Sequence, residues 1–233
     1  MKNKGLIIGG IILVVVLIIV AVFMPTSKKE EETSSKDKLL GIDYSKKGNE
    51  LSMDNYQTEN PVVAMHIKGY GSVVIELYPD IAPNTVNSFI SLIKRGYYDN
   101  NTFHRLVPGF VLQGGDRTGT GTGGPGYVIK GEFTNNGFQN DLKHEKGILS
   151  MARSSSPDSA GGQFFIMLGT SENLDGNYAA FGKVIDGMDI VEKIEKEEKV
   201  SDSSSGKLET NLVLSKTVVD LKGKEYPEPE KLK

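Results

Sequence analysis

Between Phe103 and Asp116 the chain sets one arginine, one glutamine and several aromatic and aliphatic side chains at strand spacing. Alternate residues of a strand share a face. Phe103 and Arg105 are therefore expected to point one way and His104 the other, with Pro108-Gly109 turning the chain and Val111 and Gln113 sharing a face on its return. A second segment runs from Ser150-Met151-Ala152 through a polar loop to Gly162-Gln163-Phe164-Phe165, where Gln163 and Phe165 share a face and Phe164 points inward. A third runs Leu174-Asp175-Gly176-Asn177-Tyr178-Ala179-Ala180-Phe181-Gly182. A surface of this kind can donate hydrogen bonds and hold an apolar group. No convincing nucleophile-base set or carboxylate pair accompanies it.

Composition removes other chemistries. Cysteine is absent, so there are no disulfides, thiolate metal sites or lipid-modified cysteine. His66, His104 and His144 lack ligand spacing, so no metal is expected. No cofactor is expected either. A net charge of −3 leaves no basic footprint for nucleic acid. Gly119 to Gly124 spell a GxGxxG, but Pro125-Gly126 stand where a helix should begin and no Walker lysine is present. These glycines are expected to form a loop beside the groove.

The elements that must position these residues are short. Val62 to Ile67 and Ser72 to Leu77 read as a hairpin about Gly69-Tyr70-Gly71. Pro83 suits a first helical turn, Val86, Phe89, Ile90 and Ile93 repeat at helical spacing, and Gly96 is placed to end the helix. Strands are expected at residues 102–106, 111–114, 148–152, 164–167, 180–184 and 212–221, and a second helix at 188–195. Short strands, glycine turns and two helices predict an antiparallel barrel with helical caps.

The three segments, in this order, resemble the signature of the cyclophilin family of peptidyl-prolyl cis/trans isomerases. The likeness covers residues 62–221, nearly the whole folded domain. It implies a mainly β fold, a closed eight-stranded antiparallel barrel capped by two α-helices, with the active site on its outer face. By position, Arg105 matches the catalytic arginine, and Gln113 and Phe165 stand with it as catalytic positions. Phe110, Val111, Phe165 and Leu174 match the proline pocket, while Gln113 and Gln163 match residues that position the substrate backbone. Ala152 and Arg153 match the place that presents backbone groups to the residue before proline. Tyr178 replaces a histidine common in the family and is similar to what some bacterial members carry. Asn173 stands where many members have tryptophan, which weakens the expectation of tight cyclosporin-type inhibition; Arg153 stands where asparagine is common. The expected partners are proline-containing polypeptides. The alternative is a catalytically weak proline-binding module, motivated by Asn173 and Arg153.

Ahead of the domain, Lys2 and Lys4 precede an uncharged run at residues 6–24. As a helix it would span roughly 28 Å, close to a bilayer's hydrocarbon core. It lacks the small-x-small site of a cleaved signal. The reading is five cytoplasmic residues (1–5), a signal anchor at 6–24, a flexible polar linker at 25–57 with Lys38-Leu39-Leu40 and Leu51-Ser52-Met53 as candidates to dock on the domain, the isomerase domain at 58–223 and a solvated polar tail at 224–233. The domain is expected outside the cytoplasm as a monomer, in a bacterium whose translocated side faces a wall.

Overall fold

The computed structural model describes residues 42–46 and 48–232. The expected anchor lies outside them, and no helix among the described residues is long and apolar enough to cross a membrane.

Strands β1 (Val62–Ile67) and β2 (Gly71–Leu77) form the expected hairpin. Helix α1 (Pro83–Lys94) follows, then β3 (Asn101–Val107), β4 (Val111–Gly114), β5 (Ile148–Met151), β6 (Phe164–Met167) and β7 (Ala180–Asp186). Helix α2 (Met188–Glu197), β8 (Val200–Asp202) and β9 (Lys207–Asp220) complete the chain of elements. The pairing order is β1-β2-β7-β5-β6-β4-β3-β9, and β9 pairs β1 again. Eight antiparallel strands thus close into a barrel, which leaves no unpaired edge among them. Strand β8 stands apart and pairs only with the start of β9. The last strand begins at Lys207, earlier than expected, because residues 200–208 fold into this additional hairpin.

The interior is built on aromatic edges. Phe89 of α1 meets Phe164 at 5.5 Å and Phe181 at 5.1 Å, and Phe103 meets Phe164 at 5.9 Å, all edge-to-face. Val86, Phe89, Ile90 and Ile93 of α1 and Ile190, Val191 and Ile194 of α2 complete this core. The first turn of α1 is capped from outside: the Asn84 and Thr85 amides donate to Glu132 at 2.9 and 2.7 Å. A carboxylate there satisfies orphan donors and complements the helix dipole.

Two segments differ from expectation. The polar linker was expected to run to Gln57, yet Ile42 and Met53 are buried in a second cluster with Val62, Ala64, Val74 and Val218, flanked by Tyr44, Leu51 and Tyr56. The Leu51 amide donates to Val219 O at 2.9 Å, and the Val219 amide to Asn49 O at 2.8 Å. The reason lies in β1, which is apolar on both faces, so its outer face needs a cover. The tail expected to be solvated is also docked. Pro229 is buried, Glu228 binds Ser91 and Arg95 of the α1 end, and the Leu232 amide donates to Val128 O at 2.8 Å.

Candidate active site

One row of residues crosses the outer wall. Arg105 on β3 stands opposite Gln113 on β4, Gln113 opposite Phe165 on β6, and Phe165 opposite Ser150 on β5. Cross-strand partners share a face, so the β3–β4, β4–β6 and β6–β5 pairings bring these four residues into line.

Arg105 reaches this wall through a bulge. The register shifts between Phe103 and Arg105, leaving His104 as the extra residue. Phe103 is buried in the core whereas Arg105 lies outside and half-buried. The expectation that Phe103 and Arg105 share a face is therefore corrected. Strict alternation would have put either a guanidinium into the core or Phe103 into solvent, and the bulge avoids both.

The polar side chains form a chain with one direction. Arg105 Nη1 donates to Gln113 Oε1 (3.2 Å), Gln113 Nε2 to Gln163 Oε1 (3.0 Å), and Gln163 Nε2 to Gly121 O and Gly123 O (3.0 and 2.9 Å). Arg105 Nε donates to Ser205 O at 2.9 Å, so the β8–β9 turn holds the guanidinium from below. Gly206 of that turn has φ +76°, and a Cβ there would lie 2.7 Å from Val107 and 3.2 Å from Arg105; only glycine fits. Hydrogen bonds from Ser204 and Ser205 set the turn and lower the Asp202 pKa to about 2. Sequence reading missed this support, although the Asp202-Ser203-Ser204-Ser205-Gly206 run is a turn signal.

The Gly-rich loop closes on a carboxylate from this chain. Asp116 accepts from the Thr118, Thr120, Gly121 and Gly123 amides and the Thr118 hydroxyl, at 2.7–3.1 Å. Burial opposes ionisation, but these bonds outweigh it and hold the pKa well below the usual carboxylate range. The loop is thus a nest for Asp116.

Beside the polar chain lies an apolar cluster. Val111, Ile148, Phe165, Met167 and Ala180 are its buried part, with Phe110, Leu142, Ala152, Leu174 and Tyr178 packed against them. The structure therefore gathers Phe110, Val111, Ala152, Phe165, Leu174 and Tyr178 in one place. Arg153 lies over the Tyr178 ring at 4.6 Å and donates from Nε to Asn177 O at 3.0 Å, so it buttresses the rim. Asn173 stands apart: it is exposed on the 3-10 turn Glu172–Leu174, where its carbonyl accepts from Asn177. On the far side of Gln113 and Gln163 a cavity of about 390 Å³ opens, lined by Gly123, Tyr127, Val128, Ala152 and Arg153 among others.

Behind Phe165 sits His144, stacked on its ring at 6.2 Å and bonded to Asp175 (3.1 Å) and to Ser150 Oγ (3.0 Å). The order Ser-His-Asp is that of a hydrolytic triad, but Ser150 is fully buried, so its hydroxyl is not presented at the surface. The set instead holds the Phe165 ring from behind. Burial lowers the His144 pKa, only partly offset by Asp175, which also pairs with Lys143 at 3.3 Å. The unfolded chain, with a histidine pKa of about 6.5, then binds the proton first. Stability from neutral His144 is complete above that pH and is lost as pH falls toward the folded value. Denaturant midpoints at pH 7.5 and 5.5 will fall more in wild type than in His144→Gln; equal drops would refute this.

Fold and site together define a closed β-barrel that carries a polar chain and an apolar cluster side by side on its outer wall. The chain belongs to the cyclophilin type peptidyl-prolyl cis-trans isomerase family, whose model matches residues 62–219. Similar proteins include peptidyl-prolyl cis-trans isomerase B of Bacillus subtilis, 47 % identical over 122 residues, which are 52 % of this chain and 82 % of that one. Peptidyl-prolyl cis-trans isomerase-like 1 of Gibberella zeae is 46 % identical over 125 residues, 53 % of this chain and 75 % of that one. A crystal structure of a Cryptosporidium parvum cyclophilin type isomerase in the presence of the dipeptide Ala-Pro has a TM-score of 0.61 at 34 % identity, covering 68 % of this chain and 98 % of that one. The chain is a peptidyl-prolyl cis-trans isomerase.

Proposed function

We propose that the chain accelerates Xaa-Pro rotation in polypeptides that have crossed a membrane, with Arg105 stabilising the twisted amide. The row Arg105–Gln113–Phe165, which sets a cation beside an apolar pocket, carries this reading. Rotation about Xaa-Pro breaks no covalent bond; its barrier of about 18–20 kcal/mol is lost amide resonance. The catalyst need only bind the twisted amide better than either planar isomer. On twisting, the proline nitrogen becomes pyramidal and gains a lone pair. Arg105 gives two N–H groups to Ser205 and Gln113, so other donors of its fork remain for that lone pair and the adjacent carbonyl. The pyrrolidine ring enters the pocket floored by Phe165, and the preceding residues pass Ala152 toward the cavity beyond Gln163.

The extracytoplasmic setting rests on the sequence, through Lys2, Lys4 and the apolar run at residues 6–24. Exchange spectroscopy on an Ala-Pro peptide tests the chemistry. Substoichiometric protein will bring exchange from tens of seconds or more, the uncatalysed time, to well under a second. Binding without acceleration would leave a proline-binding module instead. Protease treatment of intact cells, degrading the domain from outside, tests the location; protection until lysis would refute it.

A further inference from the structure

The docked tail lies beyond the family-matched region, which ends at residue 219. It runs along α1, from Ser91 and Arg95 back to Asn84, and on to the loop that walls the cavity. Asn84 Nδ2 donates to Glu230 O at 3.0 Å, and the Glu230 amide returns a bond to Asn84 Oδ1 at 2.7 Å. Glu228 is held by Ser91, Arg95 and Lys231. Lys231 Nζ lies 4.8 Å over the Tyr127 ring, and the Tyr127 hydroxyl bonds Ser88 Oγ of α1 at 3.0 Å. Leu232 bridges antiparallel to Val128, while Ile129 bridges antiparallel to Ala160. Tail, residues 128–129 and Ala160 thus form a small ladder behind the cavity that Tyr127, Val128 and Gly161 line.

We infer that residues 224–232 are a brace that preorganises this wall and so sets affinity for substrate residues preceding the Xaa-Pro pair. The inference rests on the proposed groove and adds to it a determinant outside the barrel. Its physical basis is entropy. The wall is entered through Gly123-Gly124-Pro125-Gly126, and Gly126 has φ +88°. Such a segment has wide conformational freedom when untethered. A wall that must order on binding weakens affinity, and one already held does not.

The test uses the full chain and releases the brace from either side. Glu228→Ala with Leu232→Pro removes the Glu228 carboxylate and the Leu232 N–H that bonds Val128; Asn84→Ala with Arg95→Ala removes, on α1, the partners of Glu230 and Glu228. Two peptides are titrated by NMR, a blocked Ala-Pro dipeptide and a longer peptide with several residues before the same pair. Both variants will bind the longer peptide about threefold to tenfold more weakly, the scale of one lost positioning interaction. The dipeptide's affinity and its exchange rate will not change. An unchanged ratio in both variants overturns the inference, as does a wild type with no preference for the longer peptide. A wild type that binds neither peptide instead sinks the proposed groove, and the brace with it.

Discussion

Arg105→Ala will lower kcat/KM for Xaa-Pro exchange by about 10²–10³, the usual cost of removing one preorganised donor from a site where charge develops. The fold will persist, because Arg105 is half-buried on the outer wall and contributes nothing to the core. Peptide binding will weaken far less than turnover, because Val111, Phe165 and Met167 still form the pocket. Arg105→Lys will not restore the rate. A lysine offers a point charge, whereas this position uses one N–H for Ser205 and another for Gln113, and the proposed substrate contact needs the rest of a planar fork. The measurement is exchange spectroscopy beside a binding titration of the same peptide. A variant within twofold of wild type in kcat/KM would remove Arg105 from the mechanism.

Asp116→Ala will cost about 2–3 kcal/mol of stability, the scale of losing hydrogen bonds to a charged group and leaving buried amides without an acceptor, and will also depress catalysis. Asp116 is fully buried and collects the Thr118, Thr120, Gly121 and Gly123 amides. Without it these donors lose their acceptor and the loop loses its centre. The same loop offers the Gly121 and Gly123 carbonyls to Gln163, so the loss passes through Gln163 and Gln113 to Arg105. Asp116→Asn will not rescue, because an amide turns one acceptor into a donor against N–H groups. The depressed pKa fixes the pH window. Stability from ionised Asp116 is complete above its unfolded pKa of about 3.9 and is lost as pH falls toward the folded value. Acid unfolding below pH 4 will therefore be less steep in Asp116→Ala, while its denaturant midpoint at pH 7 will already be low. A wild-type midpoint at pH 7 with impaired exchange would confine Asp116 to the loop.

Some expectations failed for reasons of long range. The β1 segment Val62-Val63-Ala64-Met65 is apolar on both faces, which is a local sign that something must cover it; Leu51-Ser52-Met53 is a legible candidate for that cover, but Ile42 and Tyr44 are not. The 224–232 tail is rich in charge and proline, the composition of a solvated end; its docking depends on Asn84 and Val128, far away in the chain. His144 has no local partner pattern, and its role behind Phe165 exists only once Ser150 and Asp175 meet it.

By itself the sequence determined the hairpin at Val62–Leu77, helix α1 with its Pro83 start, and the identities of the arginine, glutamines and aromatics of the groove. Alternation, helical period and turn residues act within a few positions, so each is written where it operates. Only the tertiary structure decided that His104 is a bulge, that Arg105, Gln113 and Phe165 share one row, that the glycine loop closes on Asp116, and that both ends of the domain dock on the barrel. These depend on register between strands distant in sequence and on buried groups finding their partners. Closure of the barrel sets both, and no local pattern encodes it.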